Sequence, residues 1–243
     1  MTLEGTNTYV VSSEPAYVID PGPADDAHVE AVRAVGRDRG GIAGVLLTHS
    51  HADHSAGARL LGAPLLFGEV GTADEASGES GARQGQADPD APVSPEHVGP
   101  FEVMPTPGHA TDHVCFLFGK VAFCGDLVLG HGSSFVPPDG GSLSAYLDSL
   151  RRLRAADLDL LGPGHGPWIE DPAAKIDEYL EHRLMRERRL VAELESGERS
   201  RAHLLDRVWD DVPSQLRPAA AAVMQAHLEK LEAEDRLPPD LTD

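Results

Sequence analysis

The sequence has few cysteines, few aromatic residues and no long apolar run. Of its 243 residues only two are cysteine and 5% are aromatic, whereas 41% are hydrophobic and 25% are charged. These proportions are those of an ordinary globular protein and exclude a disordered or fibrous chain. No segment approaches the roughly 20 apolar residues of a membrane-spanning helix. Because the opening MTLEGTNTYV has no basic or apolar signal region, we expect a cytoplasmic protein with no membrane partner.

Positive charge is also scarce. The chain holds 20 Lys and Arg residues against 40 Asp and Glu residues, a formal net charge of −20. This charge repels phosphate backbones at long range, so it disfavours avid nucleic-acid binding. The last part of the chain is closer to neutral: residues 180–243 hold ten basic and 14 acidic residues, 10 − 14 = −4.

The two cysteines lie in apolar runs. Cys115 is part of VCFLF and Cys124 is part of VAFCGD, and both runs predict buried strands. Cytosolic thiols stay reduced and cysteine is commonly buried. We therefore interpret both residues as reduced core thiols and not as metal ligands.

Strand and helix patterns alternate along most of the chain. Strand-like runs such as AYVID, GIAGVLLT and KVAFCG are separated by helical patterns at residues 24–37 and in SLSAYLDSLRRLRAAD. The Gly- and Pro-rich stretch over residues 68–100 predicts a long surface excursion. Beyond residue 171 the pattern is helical, over 173–194, 201–209 and 218–235. We predict an α/β main domain over 1–171 and a helical C-terminal domain over 172–243, a size and pattern that also suit a winged-helix module.

The strongest chemical signal is the segment THSHADHS, residues 48–55, where a strand pattern gives way to a short helix. Side chains two positions apart on an extended segment point the same way, so His49 and His51 are predicted to converge on one metal ion. Asp53 and His54 then turn towards a second ion. A polar loop rarely places three histidines and a carboxylate in six residues.

Three further candidate ligands stand beside glycine in TPGHATDH, FCGDLVLG and GPGHG. Glycine lets the backbone approach a crowded site. His109 would complete the three-histidine group of the first ion, and His165 would join Asp53 and His54 on the second. Asp126 would bridge the two ions.

Other residues near these motifs are candidates for contact with substrate. His113 lies four residues after His109, and His131 lies five residues after Asp126. Positions so close to two candidate ligands suit proton donation to a leaving group. The alternative for each is a hydrogen bond that orients a ligand. Ser134 and its neighbour Ser133 are pocket candidates, and Asp53 would bind and orient the nucleophile.

The motifs resemble those of the metallo-β-lactamase superfamily. The resemblance implies a four-layer αββα sandwich with two metal ions at one edge of the sheets. It also implies the full dinuclear ligand set: His49, His51, Asp53, His54, His109, Asp126 and His165. In such a site two cations lower the pKa of a shared water from about 15.7 towards roughly 7, and a hydroxide bridging them attacks a carbonyl or phosphorus atom.

A closer resemblance is to the β-lactamase-like protein 2 group, carried by GTNTYVV, TPGHATDH, GDLVLGHGSSF and GPGHGPW. Members of that group end in a winged-helix-like domain, and the animal members are single-stranded RNA endonucleases. True metallo-β-lactamases usually carry Cys where Asp126 stands and are exported, so an antibiotic-resistance enzyme is not expected. Flavodiiron relatives carry Glu where His51 stands, so this chain favours two zinc ions, with iron or manganese as alternatives.

Three functions remain open from the sequence. The acidic chain favours hydrolysis of an ester or thioester of a small molecule. The alternative is a single-stranded RNA endonuclease that uses Arg183, Arg186, Arg188 and Arg189, and a remote one is a metal-containing DNA-binding regulator. The sequence does not indicate the oligomeric state.

The helix predicted over residues 173–194 helps to decide between small-molecule hydrolysis and the nucleic-acid alternatives. Its apolar residues have the spacing of a core-facing stripe, namely Ile176, Tyr179, Leu190 and Leu194. The four arginines are then expected to face outward.

Overall fold

A computed structural model describes residues 5–12, 14–71, 96–138 and 140–242. Within these ranges the strands form a four-stranded sheet, β1-β2-β3-β4, and a five-stranded sheet, β5-β6-β7-β8-β9. Most of the excursion predicted over residues 68–100 lies outside the described residues. The strands are β1 (Tyr9–Val11), β2 (Ala16–Ile19), β3 (Ile42–Leu46), β4 (Leu65–Phe67), β5 (His97–Val98), β6 (Phe101–Pro105), β7 (Val114–Phe118), β8 (Val121–Gly125) and β9 (Leu160–Pro163).

Seven α-helices accompany the strands in the described part of the chain. They are α1 (Asp26–Asp38), α2 (Ala52–Ser55), α3 (Ala58–Leu61), α4 (Leu143–Ala155), α5 (Pro172–Glu195), α6 (Arg201–Val208) and α7 (Arg217–Ala233). Side-chain caps start α1, α4, α5 and α6, since Asp25, Ser142, Asp171 and Ser200 each accept a hydrogen bond from a backbone amide in the first turn. None of the helices described is long and apolar enough to cross a bilayer.

Alternation along the central strands builds the layers. In the first sheet Val18 and Val45 pack against α1 and α3, whereas Ile19 and Leu46 face the second sheet. Side chains of a strand point to opposite faces in turn, so a strand covered on both sides is apolar throughout. Phe116, in the second sheet, packs in the inner layer with Ile19 and Leu46.

The outer face of the second sheet completes the sandwich. Cys115 and Cys124 lie there among side chains of α4 and α5, both buried and free. Burial raises the pKa of the Cys115 thiol to about 12, so it stays protonated. The layers are helix, sheet, sheet and helix, which confirms the predicted αββα sandwich, and the cysteines are core thiols as expected.

Helix α5 belongs to two hydrophobic clusters. Ile176 and Tyr179, in its first half, pack with α4 in the core of the main domain. Leu190 and Leu194, in its second half, pack with α6 and α7 in a separate cluster of the tail. The predicted stripe is therefore buried. The division predicted at residue 172 falls at the start of this shared helix.

The expectation that the tail arginines face outward is wrong for two of the four. Arg183 and Arg186 are each only 3% exposed. Arg186 donates two hydrogen bonds of 2.7 Å to the carboxylate of Asp211 and a further one to the backbone oxygen of Val208. The reason is that α5 is covered by the main domain on one side and by α6 and α7 on another, so its apolar stripe does not mark its whole buried surface.

A buried carboxylate on α5 makes the stability of the tail dependent on pH. His227 Nδ1 lies 3.6 Å from Glu187, and the Lys230 ammonium lies 2.9 Å from it. These partners lower the pKa of Glu187 from 4.5 to about 2. A lowered pKa stabilises the fold above the unfolded value of 4.5, and this contribution is lost as the pH falls towards 2.

We expect Glu187→Gln to lower the free energy of unfolding by on the order of 1–2 kcal/mol at pH 7, less than the full pKa shift corresponds to because solvent screens part of the interaction. Glutamine resembles the protonated carboxyl group, so the difference from wild type should shrink between pH 4.5 and pH 2. Urea unfolding of metal-free protein across this range measures it. Glu181→Gln, an exposed position on the same helix, is the control and should change stability by less than about 0.5 kcal/mol. If the difference in free energy of unfolding between Glu187→Gln and wild type stays constant with pH, the lowered pKa of Glu187 is contradicted.

Candidate metal centre

The histidine-rich segment lies at the edge of the first sheet, between β3 and α2. His49 and His51 follow the end of β3 at Leu46, and His51 is the residue before α2, with an extended backbone (φ −53°, ψ 139°). Asp53 and His54 lie in the first turn of that helix. This is the junction between a strand and a short helix that the sequence predicts.

Three histidines converge on one point. The Nδ1 atom of His51 lies 2.9 Å from Nε2 of His49 and 3.1 Å from Nε2 of His109. Zinc binds histidine nitrogen at about 2.0–2.1 Å, and a tetrahedral shell then separates neighbouring ligand atoms by about 3.3 Å. The three nitrogens therefore have the separation that a single metal ion requires.

A second group lies beside the first. Oδ2 of Asp53 is 3.3 Å from Nε2 of His165, and Nε2 of His54 is 3.4 Å from Oδ1 of Asp126. The other oxygen of Asp126, Oδ2, is 3.5 Å from Nε2 of His165 and 3.7 Å from Nε2 of His109. Asp126 thus contacts ligands of both groups, so the structure brings together all seven predicted ligands.

The second nitrogen of most of these rings is fixed by an oxygen. Nδ1 of His109 lies 2.7 Å from the backbone oxygen of Phe135, and Nδ1 of His165 lies 2.8 Å from that of Gly5. A carbonyl oxygen only accepts, so each Nδ1 carries the hydrogen. The Nε2 lone pairs of both rings are then directed into the cluster, as ligation requires.

Asp20 fixes the orientation of two further rings, that of His54 directly and that of His49 through Thr48. Its carboxylate, 2% exposed, accepts from Nδ1 of His54 at 2.9 Å and from the amide and hydroxyl of Thr48 at 2.8 and 2.7 Å. Thr48 has only one hydroxyl hydrogen, so its oxygen accepts from Nδ1 of His49, 3.0 Å away. The sequence reasoning missed Asp20, although a single acid at the end of the apolar run AYVID was a signal.

Two buried atoms of the cluster lack a hydrogen-bond partner among the described residues. They are Nε2 of His54 and Oδ1 of Asp126, which face each other. Burial opposes the charged form of His54, but the carboxylates of Asp126 and Asp20 outweigh it and raise the pKa of His54 well above its usual range. Leaving such atoms unpaired is costly. A cation between them would satisfy both, so the residues fit a metal site.

Glycine is needed where β9 meets the cluster. A Cβ atom on Gly164 would lie 2.3 Å from Oδ1 of Asp126 and 2.6 Å from Cε1 of His54. At Gly125, where φ is +44°, a Cβ atom would lie 2.5 Å from the hydroxyl of Thr48. Gly164 therefore makes room for the ligands, as the sequence suggests, and Gly125 makes room for Thr48, which supports them.

His113 lies behind Asp126. It is 1% exposed, and its Nε2 accepts from the Asp126 amide at 3.2 Å, so Nδ1 carries the hydrogen and donates to the Thr106 hydroxyl at 2.8 Å. Burial and the neighbouring His109 lower its pKa to about 3. A neutral ring with both nitrogens occupied favours the orienting alternative over proton donation.

The other candidates for substrate contact lie in the loop after β8. Ser134 is 2% exposed, and its hydroxyl donates to the backbone oxygen of Asp126 at 2.5 Å. The structure therefore places Ser134 beneath the metal centre rather than in a pocket wall, because its hydroxyl is buried and already used. His131 and Ser133 are exposed, and contact between His131 and substrate stays a prediction.

Sequence comparison identifies the family. The profile of the Metallo-beta-lactamase superfamily matches residues 1–165. The chain belongs to this superfamily. The profile of the Beta-lactamase associated winged helix domain matches residues 200–237, within the helical tail. The family and the ligand cluster together make the chain a metal-dependent hydrolase.

Individual members of the superfamily align along most of the chain. The Beta-lactamase-like protein 2 homolog of Drosophila melanogaster is 31% identical and covers 98% of this chain and 85% of its own length. An atrochrysone carboxyl ACP thioesterase of Aspergillus fumigatus is 31% identical and covers 100% of this chain and 72% of its own. A beta-lactamase domain protein from Burkholderia ambifaria shares the fold, with a TM-score of 0.72, 20% identity and coverage of 97% and 84%.

Proposed function

We propose that the chain is a dinuclear zinc hydrolase that cleaves a thioester of a small molecule, with an oxygen ester as the less favoured substrate. The observation that carries the proposal is the pair of ligand groups that meet at Asp126. That carboxylate lies 3.4 to 3.7 Å from nitrogens of His54, His165 and His109. A residue in contact with both groups suits a bridge between two ions.

The donor set supports zinc. Five imidazoles and two carboxylates form the site, and imidazole suits zinc, copper, iron and nickel, whereas magnesium and calcium prefer oxygen. The three-histidine group also matches a zinc site that leaves a position open for water or substrate. Iron or manganese would be recognised by elemental analysis of protein purified without chelators.

The residues divide the work of hydrolysis between them. Two bound zinc ions would lower the pKa of a shared water and polarise the carbonyl of the substrate. The side chain of Asp53 is 53% exposed, at the open side of the cluster, where it accepts a hydrogen bond from the attacking water and orients it. Asp20 and His113 hold the rings and the backbone that carry the ligands.

The leaving group distinguishes a thioester from an oxygen ester. The first candidate for a general acid, His113, is buried and neutral, with both ring nitrogens engaged. A thiol has a pKa of about 8.5, so a thiolate departs with little need of a proton, whereas an alkoxide needs one. The chemistry of this site therefore favours the thioester, and one relative is named as a thioesterase.

The nucleic-acid alternatives lose support from the tail. Arg183 and Arg186 are buried, and Arg189 lies 2.9 Å from the carboxylate of Asp210. Further tail arginines pair with nearby acids: Arg199 with Asp240, Arg207 with Glu193 and Arg217 with Asp206. Guanidinium groups engaged in this way do not form the basic stripe that contact with phosphates needs.

Matched substrates test the proposal. We expect the zinc-loaded protein to hydrolyse a thioester at least about 10-fold faster, in kcat/KM, than the oxygen ester with the same acyl group, because only the alkoxide needs a proton donor. Protein stripped of metal is the control and should be inactive. A labelled single-stranded RNA completes the assay. Salt-sensitive cleavage of this RNA, with both esters at background, would reject the thioesterase and establish the endonuclease.

A further inference from the structure

Helix α5 contacts the loop that follows β8, residues 126–136, which we call the Asp126 loop. Two residues of the helix make these contacts, and the first of them is Tyr179, which is buried. The Tyr179 hydroxyl donates to the backbone oxygen of Gly132 at 2.9 Å and accepts from the amide of Leu129 at 3.1 Å. One hydroxyl thus ties two separate points of the loop to the helix.

Arg183, one turn further along α5, makes the second contact. Its guanidinium donates to the hydroxyl of Ser133 at 3.2 Å and to the backbone oxygen of Ser134, and it lies over the ring of Tyr146 at 5.4 Å. No carboxylate pairs with Arg183 among the residues that the structure describes. Burying a guanidinium costs free energy, and the hydrogen bonds to the loop offset part of that cost, which packing alone would not.

The opposite side of the same loop supports the metal centre. The Ser134 hydroxyl holds the backbone oxygen of Asp126, and the Phe135 oxygen orients the ring of His109. Ser134 therefore contacts Arg183 through its backbone and Asp126 through its side chain. When the hydrogen bonds that orient a metal ligand are disturbed, the affinity of the site for its metal falls.

We propose that Tyr179 and Arg183 are positioning residues of the metal centre, which act on Asp126 and His109 through the Asp126 loop. The proposal rests on the metal centre argued above, but not on the choice of thioester. It makes the first tail helix a part of the active-site scaffold.

Arg186 provides the matched control. It lies on the same helix, it is as buried as Arg183, and it too combines a backbone oxygen with an aromatic ring, 5.7 Å from Trp209. Its partners, however, are Val208, Trp209 and Asp211, all in the tail. Replacing either arginine with methionine removes a buried cation, but only one of them contacts the loop.

The test compares full-length Arg183→Met, Arg186→Met and Tyr179→Phe proteins. Amide hydrogen exchange of the metal-free proteins reports on the loop, and competition with a chelator gives the zinc affinity. We expect Arg183→Met to speed exchange of the Asp126 loop and to weaken zinc binding by about 10–100-fold. Tyr179→Phe should act in the same direction with a smaller effect. Arg186→Met should leave loop exchange and zinc affinity unchanged, even if its melting temperature falls as far.

Equal effects of Arg183→Met and Arg186→Met on the loop and on zinc affinity would show a general loss of stability and would overturn the proposal. So would unchanged loop exchange and affinity in Arg183→Met. If that protein does not fold, Tyr179→Phe decides the question, since it removes a single oxygen atom. Failure of the wild-type protein to bind zinc would reject the dinuclear proposal, whereas the exchange comparison would still decide the role of α5.

Discussion

Replacing Asp53 with alanine is expected to lower turnover by about 100-fold or more and to leave the fold intact. The side chain is half exposed, so its removal uncovers no core and leaves no buried cavity. Its carboxylate stands 3.3 Å from Nε2 of His165 and 3.7 Å from Nε2 of His54. In the proposed dinuclear centre the second ion would therefore lose one ligand and the attacking water would lose the group that orients it, while the three-histidine group stays complete.

Metal content and turnover measured on the same preparation check this prediction. Zinc per chain should fall from two ions towards one, and the far-ultraviolet circular dichroism spectrum should be that of wild type. Asp148→Ala is a suitable control, because Asp148 is an exposed acid of α4 whose ion pair among the described residues is with Arg151, across one turn. An Asp53→Ala protein that retains a tenth of wild-type turnover would refute the role given to this residue.

Replacing Asp20 with alanine is expected to damage both stability and metal binding. Its carboxylate satisfies the amide and hydroxyl of Thr48 and Nδ1 of His54, all of them buried. A buried donor left unpaired costs about 1–3 kcal/mol, so loss of these partners should lower the free energy of unfolding by on the order of 3 kcal/mol. Zinc affinity should fall by about 10–100-fold, because the ring of His54 is no longer held.

Asp20→Asn separates the two effects. The amide has nearly the size of the carboxylate, so packing is kept, but its NH₂ group faces donors instead of accepting from them. We expect calorimetry to give a smaller loss of stability than in Asp20→Ala and chelator competition to give a comparable loss of zinc affinity. Wild-type zinc affinity in both variants would show that Asp20 does not orient His54.

The cluster of candidate ligands could be predicted from the sequence because most of its geometry is local. His49 and His51 share a direction on an extended segment, and Asp53 and His54 fall in the next helical turn, so six residues specify four ligands. The helices and strands followed from apolar periodicity in the same way. The sandwich did not follow from periodicity, because the packing of two sheets depends on contacts between distant parts of the chain, and it came from the family resemblance.

Two supporting residues, Asp20 and Arg183, were not predicted, because their partners are far away in sequence. Asp20 reaches His54 across 34 positions, and Arg183 reaches Ser134 across 49. Arg183 also shows the limit of reading a helix from one stripe. The apolar stripe marks one buried face of α5. Because the helix is packed on two sides, polar residues beside the stripe are also buried, and the sequence pattern does not identify them.

A helix shared by two hydrophobic cores has a consequence for the newly made chain. During synthesis the sandwich strands and α4 emerge first, and the surface of α4 that Ile176 and Tyr179 later cover stays open to water. The core of the tail in turn combines Leu190 and Leu194 with residues of α6 and α7, which emerge last. The core of each half therefore includes side chains of α5. The two are expected to consolidate together rather than as independent folding units, and an unfinished chain carries an exposed apolar face that attracts chaperones.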